Sequence, residues 1–175
     1  MPSSVSSPTA YKLKLTSPIG TLLAEHDGER VTGLHLPKPG THQTHPFAAE
    51  PSRDDALGWA LSEQLRDYFR GRRKEFDLPL SLAGTAFQQR VWAALSEIPY
   101  GETRSYSDIA AMVGIPKAPR AVGQANSRNP VPIIVPCHRV LASGNRLGGY
   151  MGSGPDGPGA ELKRWFLRHE GVAGW

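Results

Sequence analysis

Cys137, His138 and Arg139 stand side by side at the end of an apolar, proline-punctuated run, Asn129-Pro130-Val131-Pro132-Ile133-Ile134-Val135-Pro136-Cys137-His138-Arg139-Val140. Together these residue types can make a nucleophile. A free thiol has a pKa of about 8.5, so only a few per cent is thiolate at neutral pH. Positive charge close by favours the anion, and an acid such as Glu170 could orient the imidazole and stabilise its protonated form. Adjacency alone is weaker evidence, because side chains at i and i+1 diverge in an extended chain. Direct proton transfer therefore needs a turn there, or a bridging water. The competing reading is that a sole cysteine is a small buried hydrophobe. Cys137 is the only cysteine in the 175 residues, which excludes an intrachain disulfide framework and any zinc site built from several thiolates.

The surroundings of this run are basic. The formal net charge is +4, and residues 1–84 balance ten Lys/Arg against ten Asp/Glu. Residues 85–175 carry ten against six, so the whole excess lies in the half that holds Cys137. Charge gathered in this way is the usual footprint of a polyanion partner, although a merely soluble basic face would look the same. The length suits one ordinary domain or two small ones. With 39% hydrophobic and 21% charged residues, the chain is neither a disordered tail nor a membrane protein, and no apolar run approaches the roughly 20 residues of a spanning helix. Residues 1–9 read as a Ser/Pro-rich disordered tail without the features of a signal peptide. A cytoplasmic protein is expected.

The elements that must position the cysteine divide near residue 84. In residues 10–84, Tyr11, Leu13 and Leu15 alternate with lysines as a half-buried strand does. Turn signals at Ser17-Pro18-Ile19-Gly20 and Asp27-Gly28 then predict a meander of three antiparallel strands. Residues 37–53 read as an exposed loop, and Leu57, Leu61, Leu65, Tyr68 and Phe69 mark one face of a helix ending near Gly71. The basic triplet Arg72-Arg73-Lys74 reads as a solvated helix end, and a short strand and linker over 76–84 lead into residues 85–175. There Thr85 to Gln88 is a capping-box pattern for a helix with Phe87, Val91, Trp92 and Leu95 inward. Ser105 and Asp108 cap a second helix with Ile109, Ala110 and Val113 inward. Gly114 and Pro116 end it, and a third helix runs to Asn126 with Arg120 among small residues. The last two form a helix-turn-helix, and Val131 to Val135 reads as an apolar strand.

Asn129-Pro130, Pro136-Cys137-His138-Arg139-Val140, Gly148-Gly149-Tyr150 and His169-Glu170-Gly171 closely resemble the O6-alkylguanine-DNA alkyltransferases. The resemblance spans nearly all of residues 10–171 and is densest from Phe87 to Tyr150. It implies an α/β (α+β) protein. The N-terminal domain would have a ribonuclease H-like outline of three-stranded antiparallel sheet plus helix. The C-terminal domain would be mostly helical and winged-helix-like, for DNA binding and alkyl transfer. The resemblance further implies that Cys137 accepts the alkyl group of guanine O6 by in-line displacement, that His138 deprotonates it through a water, and that Glu170 holds His138. Asn129 would brace the turn before the active-site strand. Tyr106 would pack by the target phosphate and protonate the leaving base. Arg120 would be the finger that replaces the flipped nucleotide. Ala121, Gln124 and Asn126 would face DNA with it, and Arg104, Lys117 and Arg128 would hold phosphates. Val140, Tyr150, Met151 and Arg139 would line the guanine pocket.

The residues themselves fit this allocation. A reaction at O6 requires the base to leave the duplex, and a helix offering one arginine amid small residues suits a minor-groove approach. Two departures from the family pattern stand out. Some members bind structural zinc through Cys and His in the N-terminal domain. Here that domain has no cysteine, and His26, His35, His42 and His45 are scattered, so no metal and no cofactor is expected. After Gly152 the chain is about six residues longer than the family's usual link. Its Gly/Pro-rich residues 152–159 are either a tolerated insertion or a mobile wall of the alkyl pocket. The expected partner is double-stranded DNA carrying O6-alkylguanine and, less well, O4-alkylthymine, bound by a monomer without sequence preference. The rival readings are a non-catalytic lesion-binding protein of the same fold, a sequence-specific regulator and, more remotely, a Cys-His hydrolase. Cys137 counts against the first, and the small residues of the third helix count against the second.

Overall fold

The lysine-leucine alternation forms the first strand of a sheet. In the computed structural model, which describes residues 10–38 and 46–175, β1 is Tyr11–Ser17, β2 Gly20–His26 and β3 Val31–His35. Leu13, Leu15, Leu22, Ala24 and Leu34 point into the core. The β1–β2 register runs from Tyr11 opposite His26 to Ser17 opposite Gly20. Ser17 closes that turn by donating its hydroxyl to the Gly20 carbonyl at 2.7 Å. Asp27 closes the next turn, its carboxylate accepting the amides of Glu29 and Arg30 at 2.9 and 2.7 Å.

The sheet has four strands where three were expected. Within the segment read as loop, Ala48–Ala49 forms a short β4 against Leu15 and Thr16, giving the order β3-β2-β1-β4. Two alanines carry no alternation to read, and tertiary pairing makes them a strand. Conversely, the strand expected within 76–84 reduces to one bridge, Leu80 beside Val31. The residues expected to form a tail, together with His42 and His45, lie outside the described residues.

Helix α1, Ala56–Phe69, buries Leu61, Leu65, Tyr68 and Phe69. Its N-cap, Asp55, accepts the Gly58 amide with one oxygen and meets His26 of β2 with the other at 3.1 Å. This pins the helix start to the sheet. Helix α2, Ala86–Ser96, opens on the Thr85/Gln88 capping box. After β5, Arg104–Ser105, helix α3, Tyr106–Met112, opens on a second capping box, Ser105/Asp108. Helix α4, Pro119–Ser127, has no side-chain cap and begins on its proline. It packs on α3 as the second half of the helix-turn-helix, and the Trp92 indole donates to the Ala125 carbonyl at 2.9 Å to fix it on α2.

The run before Cys137 is not a strand. Val131, Ile133 and Val135 are buried, but the backbone doubles back: the Val135 amide bonds the Val131 carbonyl at 3.0 Å, and Ile133 has φ 77°. Prolines at 130, 132 and 136 remove the donors a ladder would need. A 3-10 turn, Cys137–Arg139, leads into β6, Val140–Leu141, which pairs in parallel with β5. Helix α5, Ala160–His169, ends the fold. One hydrophobic cluster runs through both halves, from Leu13 to Phe166. Among the described residues no helix is long and apolar enough to cross a membrane.

Candidate active site

The 3-10 turn settles how adjacent Cys137 and His138 relate. Their side chains leave the backbone in different directions, both buried. Asn129 holds the approach, donating its amide to the Val135 carbonyl at 2.7 Å and accepting the Val131 amide at 3.1 Å. Asn126 of α4 donates to the Cys137 carbonyl at 3.4 Å, and the sulfur lies 3.9 Å from the Tyr150 hydroxyl. Burial pushes the thiol up, and contacts from Asn129, Tyr150 and the Lys163 charge pull the other way.

His138 faces Glu170, the residue that closes α5. Their Nε2–Oε1 distance is 2.7 Å, and the ring lies against Phe166. Burial lowers the imidazole pKa despite the carboxylate beside it, so the neutral ring gives its Nε2 hydrogen to Glu170. Among the described residues Nδ1 is then a buried acceptor without a partner.

Glu170 is the hub of this cluster. Arg139 donates to both of its oxygens, Nε to Oε2 at 2.7 Å and Nη2 to Oε1 at 3.0 Å, and Nη1 donates to the Ile98 carbonyl at 2.6 Å. The Tyr68 hydroxyl of α1 donates to Oε1 at 2.8 Å. Burial alone would raise the carboxyl, but His138 and Arg139 hold it well below the usual carboxylate range. Lys163 is wholly buried and donates to the carbonyls of Val140 and Leu147, each at 2.6 Å. Burial lowers its pKa to about 8, with negative charge on Cys137 opposing the shift.

Cys137 opens on a cavity of about 650 Å³, bordered by Tyr106, Arg128, Tyr150 and Met151 on its own side. Tyr106, at the first turn of α3, is pushed up to about 12, first by burial and then by negative charge on Cys137. It therefore stays a proton donor. Gly148, at φ +68°, lets the chain pass the Tyr106 ring where a Cβ would touch at 3.4 Å.

Some expected site residues lie elsewhere. Arg139 does not line this cavity, because its guanidinium is spent on Glu170 and Ile98 on the far side of the turn. Val140 is a core residue whose carbonyl serves Lys163. Asn126 is buried beneath Cys137 and faces the cavity, not an outer surface. Arg120, Lys117, Gln124 and Arg128 are exposed on or beside α4, with Ala121 half-buried. Arg104 bonds Glu102 at 3.0 Å and the Thr103 carbonyl, which reduces its freedom to hold a phosphate.

The long loop is ordered by Ser153. Its hydroxyl donates to the Tyr150 carbonyl at 2.7 Å and accepts the Gly159 amide at 3.1 Å. Of residues 152–159, Gly152 and Ser153 reach the cavity. Tyr68 and Lys163 were missed as site residues. Positions 163, 166 and 170 share one face of α5 and its cap, and that spacing was the available signal. Among the described residues no group of three or more His, Cys, Asp or Glu is placed to hold a metal ion.

Two family models account for nearly the whole chain: the ribonuclease-like domain of 6-O-methylguanine DNA methyltransferase matches residues 10–82, and its DNA binding domain matches 86–172. The constitutive methylated-DNA–protein-cysteine methyltransferase of Bacillus subtilis is 45% identical over 169 residues, covering 93% of this chain and 96% of its own length. The methylated-DNA–protein-cysteine methyltransferase of Methanosarcina acetivorans is 53% identical, covering 92% and 98%. The crystal structure of Mycobacterium tuberculosis O6-methylguanine methyltransferase superposes with TM-score 0.75 at 44% identity, covering 93% of each chain. The crystal structure of Mycobacterium tuberculosis OGT in complex with DNA also gives a TM-score of 0.75, at 45% identity and 90% of each chain. Matched along both halves by sequence and by fold, the chain belongs to the methylated-DNA–protein-cysteine methyltransferase family.

Proposed function

We propose that this chain repairs DNA by moving the alkyl group of O6-alkylguanine, and less readily O4-alkylthymine, onto its own Cys137, once per molecule. The observation that carries the reading is the buried series Cys137, His138 and Glu170, in which Glu170 fixes the Nε2 hydrogen of His138 and leaves the Nδ1 lone pair to take a proton. The thiol proton passes to Nδ1 through a water. Glu170 then faces an imidazolium, a charge pair favoured where water is excluded. The thiolate attacks the O6-bound carbon in line, the S–C bond forms as the C–O bond breaks, and the electron pair leaves with the base. Tyr106 supplies a proton to that base. A thioether is stable and no group in the site removes it, so the protein is consumed.

The target base must first leave the stack, at a cost of a few kcal/mol. Arg120, exposed on α4, fills the gap, and Lys117 and Arg128 hold phosphates without reading sequence. Residues 10–84 act as the N-terminal domain and 85–175 as the reacting domain of a monomer working in the cytoplasm. No cofactor is required, because the lesion is the alkyl donor. Intact-protein mass after incubation with an O6-methylguanine duplex tests this. One methyl per chain, mapping to Cys137 and absent in Cys137→Ala, is expected. Repeated turnover by a limiting amount of protein overturns it.

A further inference from the structure

The cavity at Cys137 extends beyond the helical half. Its far side is β3 together with Glu25 of β2, a stretch that includes Gly33, Leu34 and His35. This wall is fixed in place, since the Leu34 amide bonds the Pro130 carbonyl at 2.8 Å and ties the sheet edge to the active-site turn. Gly33 sits on the face shared with Glu25, its partner across β2–β3. A Cβ there would come within 3.3 Å of the Glu25 carboxylate and 3.4 Å of the His35 ring, both the ends of side chains. Its φ is not in the left-handed region, so the glycine is not demanded by the backbone; lacking a Cβ, it lets the Glu25 carboxylate and the His35 ring, 3.6 Å from each other, lie close over β3. A volume of about 650 Å³ lies within the range of about 300–1,000 Å³ that holds a whole drug-sized ligand, more than a methylated base needs. Glu25, paired with Lys12 at 3.2 Å, places a carboxylate on this wall, an unsuitable neighbour for a phosphate backbone.

We propose that Gly33, flanked by Glu25 and His35, is the size-determining wall of the alkyl pocket. The base and the reacting carbon sit by Cys137, Tyr106 and Tyr150, and arylmethyl substituents on O6 extend toward β3. The N-terminal sheet thereby selects substrates. This rests on the alkyl-transfer reading above.

The test compares single-turnover rates on oligonucleotides carrying O6-methylguanine and O6-(4-phenylbenzyl)guanine, read as the ratio of the large adduct to the small. Gly33→Leu pushes the Glu25 and His35 side chains, and its own, toward the cavity, and the ratio should fall at least about tenfold, the low end of what misplaced methylenes cost in a pocket. His35→Ala widens the same wall and should raise the ratio. It serves as the deciding variant if Gly33→Leu fails to melt cooperatively. An unchanged ratio in a folded Gly33→Leu, or in His35→Ala when that variant decides, overturns the proposal. Failure of the wild type to methylate Cys137 at all would instead sink the underlying reading, and that is seen before any ratio is taken.

Discussion

Arg139→Met isolates what the guanidinium does at the hub. The variant keeps an apolar stem and removes two charge-assisted bonds to Glu170 and one to the Ile98 carbonyl. Glu170 keeps Tyr68 and His138 but loses its only full countercharge among its bonded partners. Breaking a buried pair from one side costs about 3–5 kcal/mol, which for a chain of this length lowers Tm by roughly 6–20 °C. The pH dependence has a definite sign. In the wild type the carboxyl is held well below its usual range, so its contribution is complete above the ordinary carboxylate pKa of about 4.3 and fades only as pH falls through the folded value. Without Arg139, burial dominates, and a proton lodges on Glu170 or His138 at mildly acidic pH. The variant's deficit should therefore narrow between about pH 7.5 and pH 5.5, where the wild type barely changes on account of this group. Urea unfolding followed by circular dichroism at the two pH values measures it. A deficit under about 1 kcal/mol, or one equal at both, refutes the view of Arg139 as the buried counterion.

Asn129→Ala leaves the Val131 amide without its partner and the Val135 carbonyl with the Cys137 amide alone; at about 1–3 kcal/mol per buried orphan, a loss of that size with slower methyl transfer is expected from thermal melts and single-turnover assays. Arg120→Ala should slow repair of duplex DNA at least about tenfold more than reaction with free O6-benzylguanine, which needs no extrusion; equal losses on the two substrates remove Arg120 from that role. Lys163→Met tests the buried ammonium. With its pKa lowered to about 8 against about 10.4 unfolded, the unfolded wild type binds the extra proton between those values, so this group makes stability rise with pH there. Urea midpoints near pH 7.5 and 9.5 should show that rise diminished in the variant.

The local signals in the sequence were strong where chemistry and backbone agreed. Thr85/Gln88 and Ser105/Asp108 spell capping boxes that form as read, and the Leu13–Leu15 alternation gives β1 its buried face. What stayed hidden depends on distant partners. Ala48–Ala49 becomes a strand only because β1 offers an open edge. The Val131–Val135 alternation matches a strand, but prolines and the Asn129 brace fold it into a turn. The family resemblance implied Arg139 in the pocket, yet in the 3-10 turn its guanidinium goes to Glu170 and the Ile98 carbonyl. Tyr68 lay on a helix face correctly read as buried, and nothing local marks its hydroxyl for a carboxylate in the other half of the molecule.

That hydroxyl joins residues 102 positions apart, and the bond from His138 to Glu170 spans 32. Closing such separations carries an entropic cost before any contact rewards it, and the polar cluster is complete only once both halves of the chain have come together. Until then Cys137 is an ordinary thiol near an ordinary imidazole, with no carboxylate to hold the ring and no ammonium beside the sulfur. Nucleophilicity is in this sense acquired with tertiary closure. A collapsed but unfinished chain does not spend itself on stray alkylating agents faster than any other cysteine would. Titration of a preparation with an alkylguanine donor accordingly counts finished molecules, and comparison with total thiol gives the fraction that has completed its fold.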